Sequence, residues 1–338
     1  MRVAMYYSND DIRVEEMEKP GIGGDEILVR VRACGICGSD VMEWYRIKTA
    51  PRVLGHEVAG EIVEVGEHVK SFETGQRVFV SHHVPCNTCK YCLSGHHSAC
   101  ETLRTTNLYP GGFSEYVRVP KINVDRGVFP IPENMSYEEA TFIEPLACVY
   151  RAQRQAGLKP GDNLLVVGSG VSGLLHVKLA KALGANTIVA TDIREERLRK
   201  AEEFGAIPVN AMEDVPRAVK DILGCGGADI VFVCTGAGEA VKQALSSVDR
   251  GGTISFFAPP NPGVEVVVPI KDYWRDEVTI TTSYAASPFE IKTAINLLES
   301  KRVTVADMIT HRLPLEKTKE GFQLVANPRN SLKVIINP

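Results

Sequence analysis

The sequence predicts an α/β protein in two parts: a strand-rich part, then a doubly wound parallel sheet of six strands. Three observations predict it. Short alternating segments punctuated by Gly and Pro fill residues 26–132. From Gly161 onward, apolar runs alternate with helical patterns. A glycine pattern, Gly168, Gly170 and Gly173, directly follows the first of those runs.

In the first part, "EILVRVRA" from Glu26, "EVAGEIVEV" from Glu57 and "FSEYVRV" from Phe113 alternate apolar and polar positions, and "GQRVFV" starts at Gly75. In the second, "NLLVVG" reads as a buried strand, and a helix runs from about Val171 to near Gly184. "TIVATD" is a second strand, and "EERLRKAEEFG" a second helix that Gly205 ends. "IPVNA", "ADIVFVCTG", "GGTISFFAP" and "VTITTSY" complete the six strands. Ser287 and Pro288 then open an amphipathic helix, and "SLKVIINP" returns to strand texture.

Composition narrows the function. At 338 residues, 44% apolar and 24% charged, the chain is long for one domain and has the balance of a soluble globular protein. Acidic residues outnumber basic ones, 42 to 38, with no block of like charge, which excludes the electrostatic footprint of a nucleic-acid binder. The N-terminal stretch turns polar early, and no apolar run approaches the ~20 residues that span a bilayer. These features predict a cytoplasmic protein with a small-molecule partner, no nucleic acid and no membrane.

The glycine motif opens a helix directly after a strand, so a tight turn presents backbone N–H groups and the helix N-terminus to a pyrophosphate. Asp192 ends the next strand about 20 residues on, where a carboxylate accepts hydrogen bonds from the adenosine ribose. A 2′-phosphate beside it meets like charge, so NAD is expected rather than NADP. Arg194 argues the other way; read plainly, Arg194 and Arg197 are surface charges opening a helix.

Nine cysteines in a chain this large point to metal rather than disulfides. Cys86, Cys89, Cys92 and Cys100 lie close enough for one loop to wrap four thiolates round a tetrahedral Zn2+, a closed and therefore structural site. His96 and His97 read as exposed loop residues. A second set is dispersed: Cys37, His56, Glu57 and Glu144 are the right types for a zinc with mixed ligands. Read singly, a lone histidine is more often structural, and Glu144 before Pro145 also suits a helix cap. The pair Cys34 and Cys37 fits a redox couple, half a zinc knot, or two thiols of which one matters. Cys148, Cys225 and Cys234 read as small buried apolar residues.

Taken in order, C-G-I-C-G-S-D, G-H-E, the four-cysteine lobe, G-G-F-S-E-Y, E-P-L, the glycine motif and C-T-G resemble the zinc-containing medium-chain alcohol dehydrogenases, in the branch with sorbitol and threonine dehydrogenases. The resemblance implies a GroES-like irregular β-barrel catalytic domain over 1–146, a Rossmann domain over 147–283, and a segment 284–338 that returns to the first. It implies one catalytic and one structural zinc, with the active site in the cleft between domains. Cys37 and His56, with Glu57 or Glu144, would hold the catalytic zinc; Cys34 would not, and Asp40 would fix the tautomer of His56. Zinc would lower the pKa of a secondary alcohol, NAD would take the hydride, and Ser39 would pass on the proton. Val171 and Ser172 within the glycine loop, Ile193 and Arg194 after Asp192, and Cys234 with Thr235 would line the cofactor.

The chain departs from that pattern at Met42, where many relatives carry a histidine of the proton relay; Glu43 or solvent stands in. The segment after Cys37 is also shorter, which leaves Trp44, Arg46 and His82 as pocket candidates, with Arg46 read as a solvated charge before a substrate anchor. The expected substrates are polyols, cyclitols or sugar-like alcohols, then amino alcohols of the threonine type, then simple secondary alcohols. A dimer or homotetramer is expected through sheet edges, with "GGTISFFAPP" and "VEVVVP" suited to such an edge and equally to a buried central strand. A non-enzymatic protein of the same fold would have been favoured by loss of Cys37, His56 or Ser39, and all are present.

Overall fold

Two strands that the alternation did not single out begin the chain: Arg2–Ser8 (β1) and Asp11–Glu16 (β2) pair antiparallel, and β1 also takes the short strand Arg52–Val53 (β4). Between them in sequence lies Ile27–Gly35 (β3). The computed structural model describes residues 1–224 and 226–338; Cys225 lies outside the described residues. It divides into two units, Met1–Ala147 with Ala285–Pro338, and Cys148–Tyr284.

The first unit is built on β3 and on Glu57–Val65 (β5), Arg77–Ser81 (β6), Tyr116–Val119 (β7) and Val128–Pro130 (β8). Val29, Val31, Val58, Ile62, Val78 and Val80 are buried in one core, which is why alternation was legible there. Each such side chain contributes roughly 1.5–3 kcal/mol by leaving water.

The second unit is a six-stranded parallel sheet: Leu164–Val167 (β9), Ile188–Asp192 (β10), Ile207–Asn210 (β11), Ala228–Val233 (β12), Val248–Phe256 (β13) and Thr279–Thr282 (β14). The order β11-β10-β9-β12-β13-β14 reverses direction at β9 and β12, the topological switch point where such sheets bind ligands. Leu165, Val167, Val189, Val231, Val233 and Ile254 form its core. The outer strands are β11 and β14; residues 251–260, suited to an edge or to a central strand, take the central place and supply much of the inner strand β13, paired on both sides, and residues 264–269, also read as edge-like, are irregular, with Val267 88% exposed.

Past the second unit, the chain re-enters the first through the helix Pro288–Glu299, whose start is fixed by the Ser287 N–H donating to Glu290 Oε2 at 2.8 Å. Ile309–Pro314 (β15) and Lys333–Asn337 (β16) then extend the barrel sheet to the order β15-β16-β3-β5-β6-β8, with β7 also on β3. Register places the site: Gly35 faces both Ile335 and Glu57, and Glu57 faces Ser81. The end of β3, the starts of β5 and β16 and the end of β6 therefore lie side by side. The helix Ile143–Gln155 begins before Pro145, so Glu144 sits in its first turn rather than capping it from outside.

Candidate active site and cofactor sites

Cys37, just past β3, and His56 and Glu57, where β5 begins, offer ligand atoms within 4.8 Å of one another. Asp40, fully buried, accepts the Cys37 N–H at 3.0 Å and faces His56 Nδ1 at 3.3 Å. That contact leaves Nε2 of His56 as the ligand atom. Burial alone would lower the His56 pKa, but Asp40 and then Cys37 outweigh it and hold the imidazole well above its usual value. Burial likewise raises Asp40, yet His56 and Arg46 bring it below the usual carboxylate range. The Ser39 hydroxyl stands 3.4 Å from Cys37 Sγ.

Lys333, the first residue of β16, forms a fully buried ion pair with Glu57 Oε2. Burial pushes its ammonium down, and Glu57 followed by Cys37 more than restores it, so Lys333 stays charged. The other Glu57 oxygen, Oε1, is buried with no hydrogen-bond partner among the described residues. A buried carboxylate oxygen left unpaired beside a thiol and an imidazole is what a metal ion satisfies, so this donor set fits zinc. Glu144 lies outside the group, although its charge acts on both Glu57 and Lys333.

Arg46 is not the solvated charge that was expected. Its side chain is 15% exposed; Nε donates to the Ser39 carbonyl at 2.9 Å, and Nη2 to the Ser39 hydroxyl at 3.0 Å. Glu43 does not take the histidine's place: it is exposed and accepts the Asn9 N–H at 3.1 Å. Trp44 is half-buried on the same short helix, Glu43–Arg46. His82, just past β6, has its ring 4.8 Å from that of His56, and its Nδ1 is buried without a partner among the described residues. Burial first, then His83 and His56, push His82 well below its ordinary pKa, so it faces the cluster as a neutral ring.

In the lobe, Cys86, Cys89, Cys92 and Cys100 also converge within 4.8 Å. Backbone N–H groups of Thr88 and Cys89 point at Cys86 Sγ from 3.4 and 3.2 Å, and bring its thiol down to about 5. Burial and hydrogen bonding to Cys89 push Cys92 up to about 12, so a metal must displace its proton. Four sulfurs with aligned N–H donors fit a closed zinc site. His96 is exposed, as expected of a loop residue, whereas His97, also expected to be exposed, is half-buried in the short turn His97–Ala99.

At the switch point, Gly168 has φ +94°, and a Cβ on Gly173 would lie 1.9 Å from the Gly168 carbonyl oxygen. Only glycine lets the turn and the helix Val171–Ala182 come this close. Gly170 meets open space on its Cβ side apart from Arg197 Nη1 at 4.0 Å, which leaves room for a pyrophosphate. Asp192, at the end of β10, accepts the N–H groups of Ser169 and Arg194 at 3.0 Å each, and Arg197 Nη1 stands 3.4 Å from it. Arg197 is thus tied to the Asp192 carboxylate rather than spread in solvent. Ile193 is 65% exposed; Val171 and Ser172 are half-buried in the first turn of the helix. Cys234 donates its N–H to the Val167 carbonyl at 2.8 Å, and Thr235 packs beside Gly168. Cys148 and Cys234 are half-buried rather than buried.

Sequence reasoning missed Lys333. Its only signal was a lysine at the mouth of an otherwise apolar strand, "KVIIN".

The chain matches two family models, "Alcohol dehydrogenase GroES-like domain" over residues 23–133 and "Zinc-binding dehydrogenase" over residues 172–300. Sorbitol dehydrogenase of Bacillus subtilis is 32% identical over 100% of this chain and 97% of its own length. L-threonine 3-dehydrogenase of Bacillus velezensis is 34% identical, covering 96% of this chain and 95% of the relative. Among solved structures, alcohol dehydrogenase TADH from Thermus sp. ATN1 superposes with a TM-score of 0.90 at 31% identity, over 100% of this chain and 99% of the other.

Proposed function

Because the chain belongs to the zinc-dependent medium-chain alcohol dehydrogenases, in the branch of the sorbitol and threonine enzymes, we propose that it oxidises a polyol, cyclitol or sugar-like secondary alcohol to the ketone with NAD. One observation carries the reading: Cys37, His56 and Glu57 converge with Asp40 behind the imidazole and the Ser39 hydroxyl beside the thiol. Amino alcohols of the threonine type and simple secondary alcohols are the alternative substrates.

Zinc bound there supplies Lewis acidity to the alcohol oxygen, and bound NAD supplies the hydride acceptor. Cys37, His56 and Glu57 would hold the ion, with Glu144 the next carboxylate in line. Asp40 fixes the ring of His56, and Lys333 pairs with Glu57 and opposes the rise that burial gives its carboxyl. Ser39 takes the hydroxyl proton and releases its own toward the nicotinamide ribose and solvent. The Gly168–Gly173 turn would bind the pyrophosphate, and Asp192 would accept from the ribose hydroxyls and repel a 2′-phosphate, which favours NAD over NADP. Cys86, Cys89, Cys92 and Cys100 would hold a second, structural zinc. Free thiols at this density suit the reducing cytoplasm. A second copy would pair along the outer strand β14, where Ile280 is exposed, giving a dimer or, by further pairing, a tetramer.

No helix among the described residues is long and apolar enough to cross a membrane. The deciding experiment is the initial rate of NADH formation by zinc-replete protein across polyols, inositols, L-threonine, hydroxy acids and simple secondary alcohols, with NADP in parallel. A polyol or cyclitol winning with NAD is the expected result. Silence across the panel with both cofactors, at two zincs per chain, overturns the reading.

A further inference from the structure

The Ser39 hydroxyl is the one that stands beside Cys37, so the direction in which its single hydrogen points bears on the reaction. A hydroxyl carries one donor and two acceptor sites, whereas a guanidinium only donates. Arg46 Nη2 donates to Ser39 Oγ at 3.0 Å while Nε holds the carbonyl of the same residue at 2.9 Å. The guanidinium thus grips Ser39 at backbone and side chain together, and the hydroxyl hydrogen is turned away from it. The hydroxyl oxygen stands 3.4 Å from Cys37 Sγ, so the second lone pair is left for the side where the metal-fitting atoms converge and the hydrogen for the side away from it. Arg46 Nη2 also reaches Asp40 Oδ1 at 3.4 Å, the same oxygen that faces His56 Nδ1 at 3.3 Å. One guanidinium therefore joins the proton-carrying hydroxyl to the carboxylate that orients the ligand imidazole.

We propose that Arg46 is a positioning residue of the dehydrogenase: it fixes the Ser39 hydroxyl so that one lone pair receives the alcohol proton while the hydroxyl's own hydrogen leaves toward the ribose and solvent. The inference rests on the alcohol-oxidising reading above. Arginine stays protonated throughout the working pH range, so Arg46 cannot itself accept the proton and acts only through Ser39. Its commitment to Ser39 and Asp40 also distinguishes it from an arginine kept free for a substrate carboxylate.

The test compares wild type with Arg46→Met, Arg46→Lys, Ser39→Ala and the double variant Ser39→Ala/Arg46→Met, all as zinc-loaded full chains, on a neutral secondary alcohol and on a hydroxy acid. Arg46→Met is expected to lower kcat by about 10- to 100-fold on both substrates with KM little changed, the scale of a lost orientation. Arg46→Lys, which keeps charge without the fork, is expected to recover only part. The double variant is expected to be no slower than Ser39→Ala. Cobalt(II)-substituted protein supplies a readout without turnover: the shift of its visible bands on adding the alcohol should show the same non-additivity, while bands before addition stay as in wild type. A loss confined to KM for the hydroxy acid makes Arg46 a substrate anchor and overturns the proposal. So do additive effects of the two substitutions, or kcat per bound zinc that stays at the wild-type value. Wild-type protein silent toward every alcohol refutes the oxidation itself, and the cobalt bands then still decide whether Arg46 acts through Ser39.

Discussion

The four-cysteine lobe draws its sulfurs from one short loop, Cys86 to Cys100, whereas the cluster of Cys37, His56 and Glu57 is assembled from separate strand ends and braced by Lys333 from near the end of the chain. The lobe's polar atoms serve each other: backbone N–H groups point at Cys86 and Cys100 sulfurs, and the thiols face one another. In the other cluster, Glu57 Oε1 and His82 Nδ1 are buried without partners among the described residues. Four sulfurs closed round one point suit an ion that only holds its loop together; a cluster with further buried polar groups facing it is built to take a ligand beyond the ion.

The sharpest way to break the contrast is to remove one sulfur from each. Cys37→Ala should cut turnover by about a thousandfold or more, as several kcal/mol of Lewis-acid stabilisation are lost, while NADH binding, followed by fluorescence, persists. Cys89→Ala should instead lower the melting temperature, and the protein still folded at 20 °C, about the temperature of the assay, should keep its turnover per remaining zinc. Lost turnover in folded Cys89→Ala would collapse the distinction between the two sites.

Lys333 tests the second half of the contrast. Lys333→Met leaves the Glu57 charge buried and unpaired, and should destabilise the first unit by about 3–5 kcal/mol. The double variant Lys333→Met/Glu57→Gln should regain most of that in a urea titration. A single variant as stable as wild type would mean that the pair carries no charge.

The same contrast explains what was legible in the sequence. The lobe and the glycine turn were readable because their chemistry is set by spacing within a few residues. Strands β3, β5 and β9 to β14 were readable because a buried face imposes a period and a buried strand an apolar run. The hairpin of β1 and β2 was passed over because its polar faces, as in "DIRVEE", blur the alternation. Arg46 and Lys333 were misjudged or missed for a common reason: a charged side chain in a loop or at a strand mouth looks solvated until non-local contacts show what it faces. The partners of Lys333 lie across a sheet register that no local pattern encodes.

A smaller effect is expected behind the first ligand shell. Asp40→Asn keeps the shape but loses the charge that orients and enriches His56, and zinc affinity, measured by competition with a chelator, should fall about 10- to 100-fold. The matching change near the lobe, Thr88→Ala, removes a side-chain hydrogen bond to Cys86 but keeps the backbone N–H that faces it, and should leave lobe zinc in place. Equal zinc loss in both variants would show that the two sites are held alike.

The smallest effect concerns a histidine that has no carboxylate behind it. His56 faces Asp40, but His176, fully buried in the helix Val171–Ala182, stacks 4.2 Å from Phe232, and burial alone pushes it down to about 3. Its folded pKa lies below the unfolded value, so the unfolded chain binds the extra proton between those values. Stability is therefore intact above about pH 6.5 and falls as the pH drops toward 3, by at most about 1.4 kcal/mol per unit. His176→Gln removes that slope: its deficit in urea midpoint against wild type at pH 7 should shrink on moving to pH 5. A deficit that stays constant would mean that His176 takes up its proton equally in the folded and unfolded chain, and that burial without a counter-charge does not set its behaviour.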